Sequence, residues 1–344
     1  MSIKTTYLSR PAALFAMLVS AFFVTSACAQ AKGENAEDTL MQYRHVPVTF
    51  KSHGETIAGE LFIPAGEGLF PAVSVIGPVG FVKEQAPLQY ASRLVKHGIA
   101  ALIFDPRYNG SSTGEPRRQE SPQAKIEDLS ASIDFLSEHP MIDAKKIGLL
   151  GICQGVNWTI EASVKDARVK SRGIVAGHYL IPQVAEMYLG GEAAVKQRIA
   201  RSNTAKSAYE KNGTLEYIDI VGSKDALLKP AAISDWYMPW ANNAPWFGYR
   251  GKWENRITAM SEAAIWQWQI DETLLKLNTD VMMVHADQAA TGPSIPRALF
   301  DSIPAKNKQL HWIEGANQFM FYEHPITIDK AIAPLSEHFM KTLI

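Results

Sequence analysis

The chain has 344 residues, of which 47% are hydrophobic, enough for one large domain or one domain with an insertion. Its formal charge is −1 and it has no basic run, which argues against nucleic acid as a partner. It shows neither a cluster of residues at metal-ligand spacing nor a glycine-rich phosphate loop, so we expect no metal and no other cofactor.

Residues 1–31 have the pattern of a signal peptide. Two basic residues precede the apolar run 12–24, which is short for a membrane span but suits a signal-peptide core. Small residues at positions 27–31 supply a cleavage pattern, so we predict a periplasmic or secreted mature chain without a membrane span. Two alternatives remain: an uncleaved N-terminal anchor helix, and a lipoprotein anchored through Cys28.

The two cysteines are expected to have different fates. Cleavage after Ala29 or Ala31 removes Cys28 and leaves Cys153 as the sole thiol in an oxidising compartment. Because a lone cysteine cannot form an internal disulfide, Cys153 is either shielded by burial or kept for its reactivity.

Strand-like runs recur after a polar linker at 32–39. The first two lie close together, as in an antiparallel hairpin, and the later ones are continuous apolar runs separated by helical stretches. This alternation predicts a mostly parallel sheet covered on both faces, with functional residues at the carboxyl ends of its strands. The runs are 46–50, 57–63, 72–76, 99–104, 147–150, 173–176, 281–284 and 309–312.

Residues 180–275 interrupt this rhythm and predict a cap on a domain that spans 40–344. The segment carries six of the eight tryptophans, which either pack the cap onto the core or line an apolar substrate pocket. We expect packing for most of them and a pocket for one or two, with Trp240 as the candidate. The six are Trp236, Trp240, Trp246, Trp253, Trp266 and Trp268.

The sequence Gly151-Ile152-Cys153-Gln154-Gly155 lies between a strand-like run and residues that can continue as a helix. A nucleophile in such a turn has a strained backbone, and side chains at the glycine positions would clash with the neighbouring strand and helix. The pattern is therefore typical of a nucleophile elbow, here with cysteine where serine is usual. The alternative is a structural cysteine in an ordinary strand-to-helix turn.

Two further motifs accompany this elbow. Residues 77–85 read GPVGFVKEQ, and residues 105–116 read DPRYNGSSTGEP. In this order, and over roughly residues 45–340, the chain resembles the dienelactone-hydrolase-related α/β-hydrolases, the YcjY-like group. The resemblance implies an α/β-hydrolase fold: an eight-stranded, mostly parallel sheet with helices on both faces and a helical cap insertion. It implies no particular substrate.

The resemblance also implies a triad in the order nucleophile, acid, histidine. Cys153 matches the nucleophile. Asp287 is the only carboxylate in the loop that would supply the acid, although the usual acid position falls near Ala289. Gln318 stands in the place of the histidine, and a glutamine cannot accept a proton at neutral pH.

The loop 77–85 carries two further expectations. Backbone N–H groups of Val79 and Gln154 are the expected oxyanion donors. Dienelactone hydrolases that resemble this chain use a carboxylate from this region to contact the resting cysteine. We instead expect Glu84 to cap the helix that starts near Gln85, with pairing to Lys83 as the alternative.

Two features could compensate for the missing base. The amino terminus of a helix at Cys153 would favour the thiolate. Alternatively, another histidine could reach the sulfur: His178 is the first candidate, followed by His285 and His324. For each of these histidines, a hydrogen-bonded structural role is the favoured alternative.

Two functions are consistent with these features. The first is an exported hydrolase in which Cys153 attacks an ester, lactone or thioester of a small-molecule acyl substrate, with Gln318 contacting that substrate. The second is a non-hydrolytic protein (ligand-binding, lyase or isomerase) that uses the pocket without forming an acyl-enzyme. Gln318 and Ala289, which replace two standard triad residues, motivate the second.

Overall fold

Eight strands form one sheet in the computed structural model, which describes residues 43–228, 231–241 and 253–344. The order across the sheet is β1-β2-β4-β3-β5-β6-β9-β10. The strands are β1 (Tyr43–Ser52), β2 (Glu55–Pro64), β3 (Phe70–Ile76), β4 (Ala100–Phe104), β5 (Ile142–Ile152), β6 (Val169–Val175), β7 (Tyr217–Ile218), β8 (Ile257–Thr258), β9 (Asp280–His285) and β10 (Lys308–Trp312).

Only the β1–β2 and β2–β4 pairs of this sheet are antiparallel. All pairs from β4 to β10 across the sheet are parallel. The inner strands β3, β4, β6 and β9 and the second half of β5 are mostly buried, which explains their apolar sequences, whereas the edge strand β10 is partly exposed. The predicted fold class, a mostly parallel eight-stranded α/β sheet, is confirmed.

The helices pack in two groups. In one group α1 contacts α10 and α11, and in the other α2 contacts α3, which contacts α8. Adjacent residues of β6 alternate between the groups: a Cβ on Gly173 would meet Leu335 of α11, while Ile174 packs in a separate cluster with Val156 of α3. The helices are α1 (Ala86–Leu94), α2 (Pro122–Glu138), α3 (Gly155–Lys165), α4 (Pro182–Leu189), α5 (Glu192–Asn212), α6 (Ala231–Ala241), α7 (Ser261–Trp266), α8 (Asp271–Leu274), α9 (Ser294–Ser302), α10 (Met320–Glu323) and α11 (Pro325–Leu343).

The segment between β6 and β9 contains α4 to α8 and the small β7–β8 pair. Trp236, Trp253 and Trp266 are buried there, as expected of residues that pack a cap. Trp268 packs edge-on against Trp158 of α3, with ring centroids 5.4 Å apart. Trp246 lies outside the described residues. The cap boundaries, 180–275, stay a prediction.

The loops 77–85 and 105–116 brace each other through buried Asp105. This carboxylate accepts hydrogen bonds from the backbone N–H groups of Lys83 and Ser111, each at 2.8 Å. The expectation that Glu84 caps α1 is wrong, because its carboxylate pairs with Lys83. In this buried setting a carboxylate gains more from a cation than from a helix terminus.

The predicted signal peptide, residues 1–31, lies outside the described residues, as does Cys28. Within the described part of the chain, none of the helices combines the length and apolar character that a membrane crossing requires.

Candidate active site

Cys153 lies in the turn between β5 and α3 with a left-handed backbone, φ 57°. Glycine is required at both flanking positions because there is no room for a side chain. A Cβ on Gly151 would lie 2.6 Å from Val156 Cα, and one on Gly155 would lie 2.6 Å from the carbonyl oxygen of Ile76. The turn is also fixed to β6, because the Cys153 N–H donates to the Val175 carbonyl oxygen at 3.0 Å. This backbone has the geometry predicted for a nucleophile elbow.

A cavity of about 230 Å³ lies over Cys153 at the carboxyl ends of the strands. It is mostly apolar, and none of the described residues that line it is charged. The apolar part is formed by Tyr188, Leu228, Ile233 and Phe319, and the polar groups come from Cys153, His178, Tyr237, Gln288, Gln318 and Tyr322.

The sulfur of Cys153 is protonated at rest. Burial raises the pKa of the thiol to about 11, although contacts with the Tyr322 hydroxyl, the Gln154 N–H and the Gln318 side chain act in the opposite direction. The helix amino terminus therefore does not compensate for burial as the sequence suggested. At pH 7 the thiolate fraction is roughly 10⁻⁴.

The residues of both predicted oxyanion donors lie near Cys153. The Gln154 N–H contacts it, and Val79 lines the cavity. Two side chains from the segment between β6 and β9 hold the loop that carries Val79. Tyr237 Oη donates to the Val79 carbonyl at 2.9 Å, and Trp253 Nε1 donates to the Gly80 carbonyl at 2.8 Å. These contacts fix the backbone of the loop, and the use of the Val79 and Gln154 N–H groups for a developing oxyanion stays a prediction.

His178 lines the same cavity and is only 2% exposed. Its Nδ1 lies 3.3 Å from Gln154 Nε2, whereas its Nε2 has no hydrogen-bond partner within the described residues. Burial lowers the pKa of the imidazole to about 4, so His178 is neutral at pH 7. No hydrogen bond joins this imidazole to the Cys153 sulfur in the described structure.

The other two candidate histidines have structural partners away from the cavity. The two ring nitrogens of His285 face the carbonyl oxygens of Ala286 and Gly177, at 3.0 and 3.4 Å. His324 begins α11 and contacts Thr327 Oγ1 at 2.9 Å through its Nδ1. Neither imidazole lines the cavity.

Two predicted site residues also lie elsewhere. Asp287 is exposed, and its carboxylate accepts hydrogen bonds from Trp312 Nε1 and from the Gly315 N–H. Trp240 packs against Trp236, with ring centroids 6.3 Å apart, and is not part of the cavity wall. The structure therefore does not bring Asp287 to Cys153; Ala289 lies at the cavity instead.

Gln318 lines the cavity as predicted, but its amide is already bonded to the protein. Its Oε1 accepts from the Ala290 N–H at 2.8 Å, and its Nε2 donates to the Ala176 carbonyl at 2.9 Å and to Tyr322 Oη at 2.7 Å. Tyr322 was missed by sequence reasoning. Its only sequence signal is the four-residue spacing from Gln318 across a turn into α10.

Comparisons with known proteins agree with this fold, although no family model matches the chain. The uncharacterized protein YcjY of Escherichia coli is 27% identical over 289 residues, which are 80% of this chain and 89% of YcjY. The thiohydrolase aneE of Aspergillus aculeatus is 34% identical over 137 residues, which are 40% of this chain and 41% of that protein.

A solved structure extends this likeness. The α/β hydrolase GrgF of Penicillium superposes with a TM-score of 0.70 at 23% identity, covering 86% of this chain and 99% of GrgF. The chain has the α/β-hydrolase fold, and these relatives support the predicted similarity to the dienelactone-hydrolase-related group.

This α/β-hydrolase departs from the usual triad on one side of its cavity only. The cysteine, its elbow and the loop that carries Val79 are in place. After β9 and β10, the chain places Ala289 and Gln318 at the cavity and holds Asp287 at the surface. The described residues also contain no group of His, Cys, Asp and Glu side chains arranged to hold a metal ion.

Proposed function

We propose that the protein is a hydrolase acting on ester bonds, with Cys153 as the nucleophile and the N–H groups of Val79 and Gln154 as oxyanion donors. The observation that carries the proposal is the position of Cys153. It lies at the elbow, with its sulfur at the floor of an apolar cavity and the Gln154 N–H beside it. The thiohydrolase relative supports an acyl-transfer activity.

Among ester bonds, the site favours thioesters. No imidazole or carboxylate is hydrogen-bonded to the Cys153 sulfur in the described structure, so the site lacks an ordinary base for the thiol. An alkyl ester needs its alkoxide leaving group protonated, whereas a thioester releases a thiolate whose conjugate acid has a pKa of about 8.5. Departure of the thiolate therefore needs less help from the enzyme.

The cavity limits the acyl group. Its volume of about 230 Å³ exceeds the ~150 Å³ that encloses benzene and falls below the ~300–1,000 Å³ of drug-sized sites. Because none of the described residues that line it is charged, a charged acyl group would lose hydration without gaining a partner among them. We therefore propose a neutral acyl group the size of one aromatic ring or a short alkyl chain.

A panel of N-acetylcysteamine thioesters with butyryl, benzoyl and decanoyl groups, beside the matching ethyl esters and a lactone, tests this function. We expect butyryl and benzoyl thioesters to be turned over fastest. Cys153→Ala should reduce kcat/KM at least about 10³-fold, and intact mass should show an acyl adduct on the wild type alone. Unchanged turnover in Cys153→Ala would sink the proposal.

The second candidate is a ligand-binding protein without an acyl-enzyme. The observation that favours it is the hydrogen-bonded state of Gln318, whose amide fixes backbone where a hydrolase has its base. In this case the neutral amides butyramide or benzamide should raise Tm, while no thioester of the panel is hydrolysed and no adduct forms.

Export of the mature chain is part of the proposal and rests on the sequence pattern of residues 1–31. Fractionation of cells that produce the full chain or a version starting at Gly33 tests it. We expect only the full chain outside the cytoplasm and shortened by the mass of its leader. Equal distribution of both versions would contradict export.

A further inference from the structure

The hydroxyl of Tyr322 lies against the Cys153 sulfur, in the part of the site where a hydrolase usually has its histidine. We infer that Tyr322 is the proton-transfer group for Cys153 and that Gln318 is the residue that positions it. This inference rests on the proposed function, because it names the group that moves the proton during acyl transfer.

The orientation of the Gln318 amide is fixed by its backbone partners. The Ala290 N–H can only donate, so the atom it contacts at 2.8 Å must be the amide oxygen. The Ala176 carbonyl can only accept, so the atom it contacts at 2.9 Å must be the amide nitrogen. The two backbone groups therefore leave one N–H of Gln318 for a third partner.

That third partner is Tyr322 Oη, 2.7 Å from Gln318 Nε2. Because the amide nitrogen only donates, the tyrosine oxygen accepts in this bond, and its own proton must point elsewhere. The Cys153 sulfur is in contact with the Tyr322 hydroxyl as well as with the Gln318 side chain, so it can accept the proton of that hydroxyl. Gln318 thus directs the Tyr322 O–H towards the nucleophile.

The aromatic ring of Tyr322 is also held. Trp236 packs against it edge-on with ring centroids 4.8 Å apart, and Phe319 does so at 5.9 Å. Tyr322 is buried, which raises the pKa of its hydroxyl well above the ordinary range. The group therefore stays neutral, and it can pass a proton on only while it receives another.

The acylation step balances in this way. The sulfur of Cys153 forms a bond to the carbonyl carbon, and the carbonyl electron pair moves to the oxygen. The electron pair on oxygen then re-forms the carbonyl as the bond to the leaving sulfur breaks, while the thiol proton passes to Tyr322 Oη and the hydroxyl proton passes to the leaving sulfur. In deacylation, a water oxygen bonds to the acyl carbon and the bond from that carbon to the Cys153 sulfur breaks, which releases the carboxylic acid. A water proton passes to Tyr322 Oη and the hydroxyl proton passes to the Cys153 sulfur.

Tyr322→Phe tests the role with two readouts. The first is the pH profile of Cys153 alkylation by iodoacetamide, and the second is kcat and KM for the butyryl thioester. We expect kcat to fall about 10²-fold, with KM changed less than about threefold, since general acid–base groups contribute 10²–10⁴-fold. We also expect the thiol pKa to rise, because the thiolate loses a hydrogen-bond donor.

Tyr90→Phe is the matched control. It removes another buried tyrosine hydroxyl, one that donates to the Phe321 carbonyl of α10 at 2.9 Å and lies outside the cavity wall. A merely structural effect on α10 would therefore appear in this variant too. We expect its thiol pKa and kcat to match those of the wild type.

Gln318→Met provides a second variant, since it fills similar space without donating to Tyr322. It should change kcat and the thiol pKa in the same direction as Tyr322→Phe, and the double variant should be no worse than Tyr322→Phe alone. Additive losses would contradict the positioning role.

The outcomes separate the two proposals. If the wild type hydrolyses none of the panel, the proposed function fails, while the alkylation profile still decides whether the Tyr322 hydroxyl acts on the sulfur. If the wild type is active and Tyr322→Phe leaves kcat and the thiol pKa unchanged, the Tyr322 inference is overturned and the proposed function stands.

Discussion

The two sides of the cavity differ in what they retain of an acyl-transfer site. On the elbow side, β5, α3 and the loop after β3 hold Cys153, the Gln154 N–H beside it and Val79 at the cavity. On the late-strand side, the loops after β9 and β10 supply Ala289 and Gln318 instead of an acid and a base. The elbow side depends on backbone and space, whereas the late-strand side depends on the chemistry of individual side chains.

This difference explains why the fold tolerates replaced side chains on the late-strand side but not at the glycines of the elbow side. A Cβ at Gly151 would meet backbone atoms of the elbow and α3, and one at Gly155 would meet the backbone at the end of β3, so the fold itself requires these glycines. Gln318 keeps the late-strand loops joined to β6 through Ala290 and Ala176 without being a base. The fold therefore tolerates the loss of the histidine while the cavity keeps its shape.

The largest expected effect is on the elbow side, in Gly155→Ala. Its Cβ would lie 2.6 Å from the Ile76 carbonyl oxygen and 2.7 Å from that of Gly77, and a strand backbone cannot move easily. We expect the free energy of unfolding to fall by about 3 kcal/mol in urea titrations. Gly190→Ala is the control: a Cβ there meets nothing within 4 Å, and its φ of +94° costs only about 1 kcal/mol. Equal losses would contradict the role of space at the elbow.

The second prediction concerns the pH dependence of the free energy of unfolding, which tests whether His178 is buried and neutral at the cavity. Its folded pKa of about 4 lies below the ordinary 6.5, so its contribution is present above 6.5 and is lost as the pH falls through 4. Between about pH 7.5 and pH 4, we expect this group to remove about 3 kcal/mol from the free energy of unfolding. The measurement is urea unfolding across this range for the wild type and His178→Gln. Parallel curves for the two proteins would show that the imidazole is not buried neutral.

The smallest expected effect tests the late-strand side directly. Ala289→Asp together with Gln318→His installs a carboxylate and an imidazole near Cys153. We expect iodoacetamide to react at pH 7 at least about tenfold faster than with the wild type, because an adjacent imidazolium lowers the pKa of a thiol.

Gln318→His alone is the control for this double variant. Asp287 is at the surface and bonded to Trp312, so the new imidazole has no carboxylate to orient or charge it. We expect no gain in alkylation rate from the single variant. If the single variant reacted as fast as the double one, the absence of a carboxylate at position 289 would not affect the thiol. The absence of a histidine at position 318 would then account for its low reactivity alone.

Much of the fold was predictable because its signals are local. Continuous apolar runs separated by helical stretches predicted the parallel sheet, since strands buried on both faces are mostly apolar in sequence. The glycines around Cys153 predicted a tight strand-to-helix turn. The structure agrees, because a Cβ at either glycine would clash with backbone atoms. The position of the Asp287 carboxylate could not be predicted from local sequence. It accepts a hydrogen bond from Trp312 of the neighbouring strand β10, and this contact exists only in the folded chain.

The sequence by itself determined the sheet, the elbow with Cys153 and the absence of a histidine at position 318, because each follows from residue type, spacing or steric need. Only the tertiary structure decided the state of the thiol and the identity of its neighbours. Burial in the cavity keeps the sulfur protonated, and packing brings Tyr322 of α10 against it from 169 residues away along the chain. Solvation and proximity are properties of the folded chain, so no local pattern could specify them.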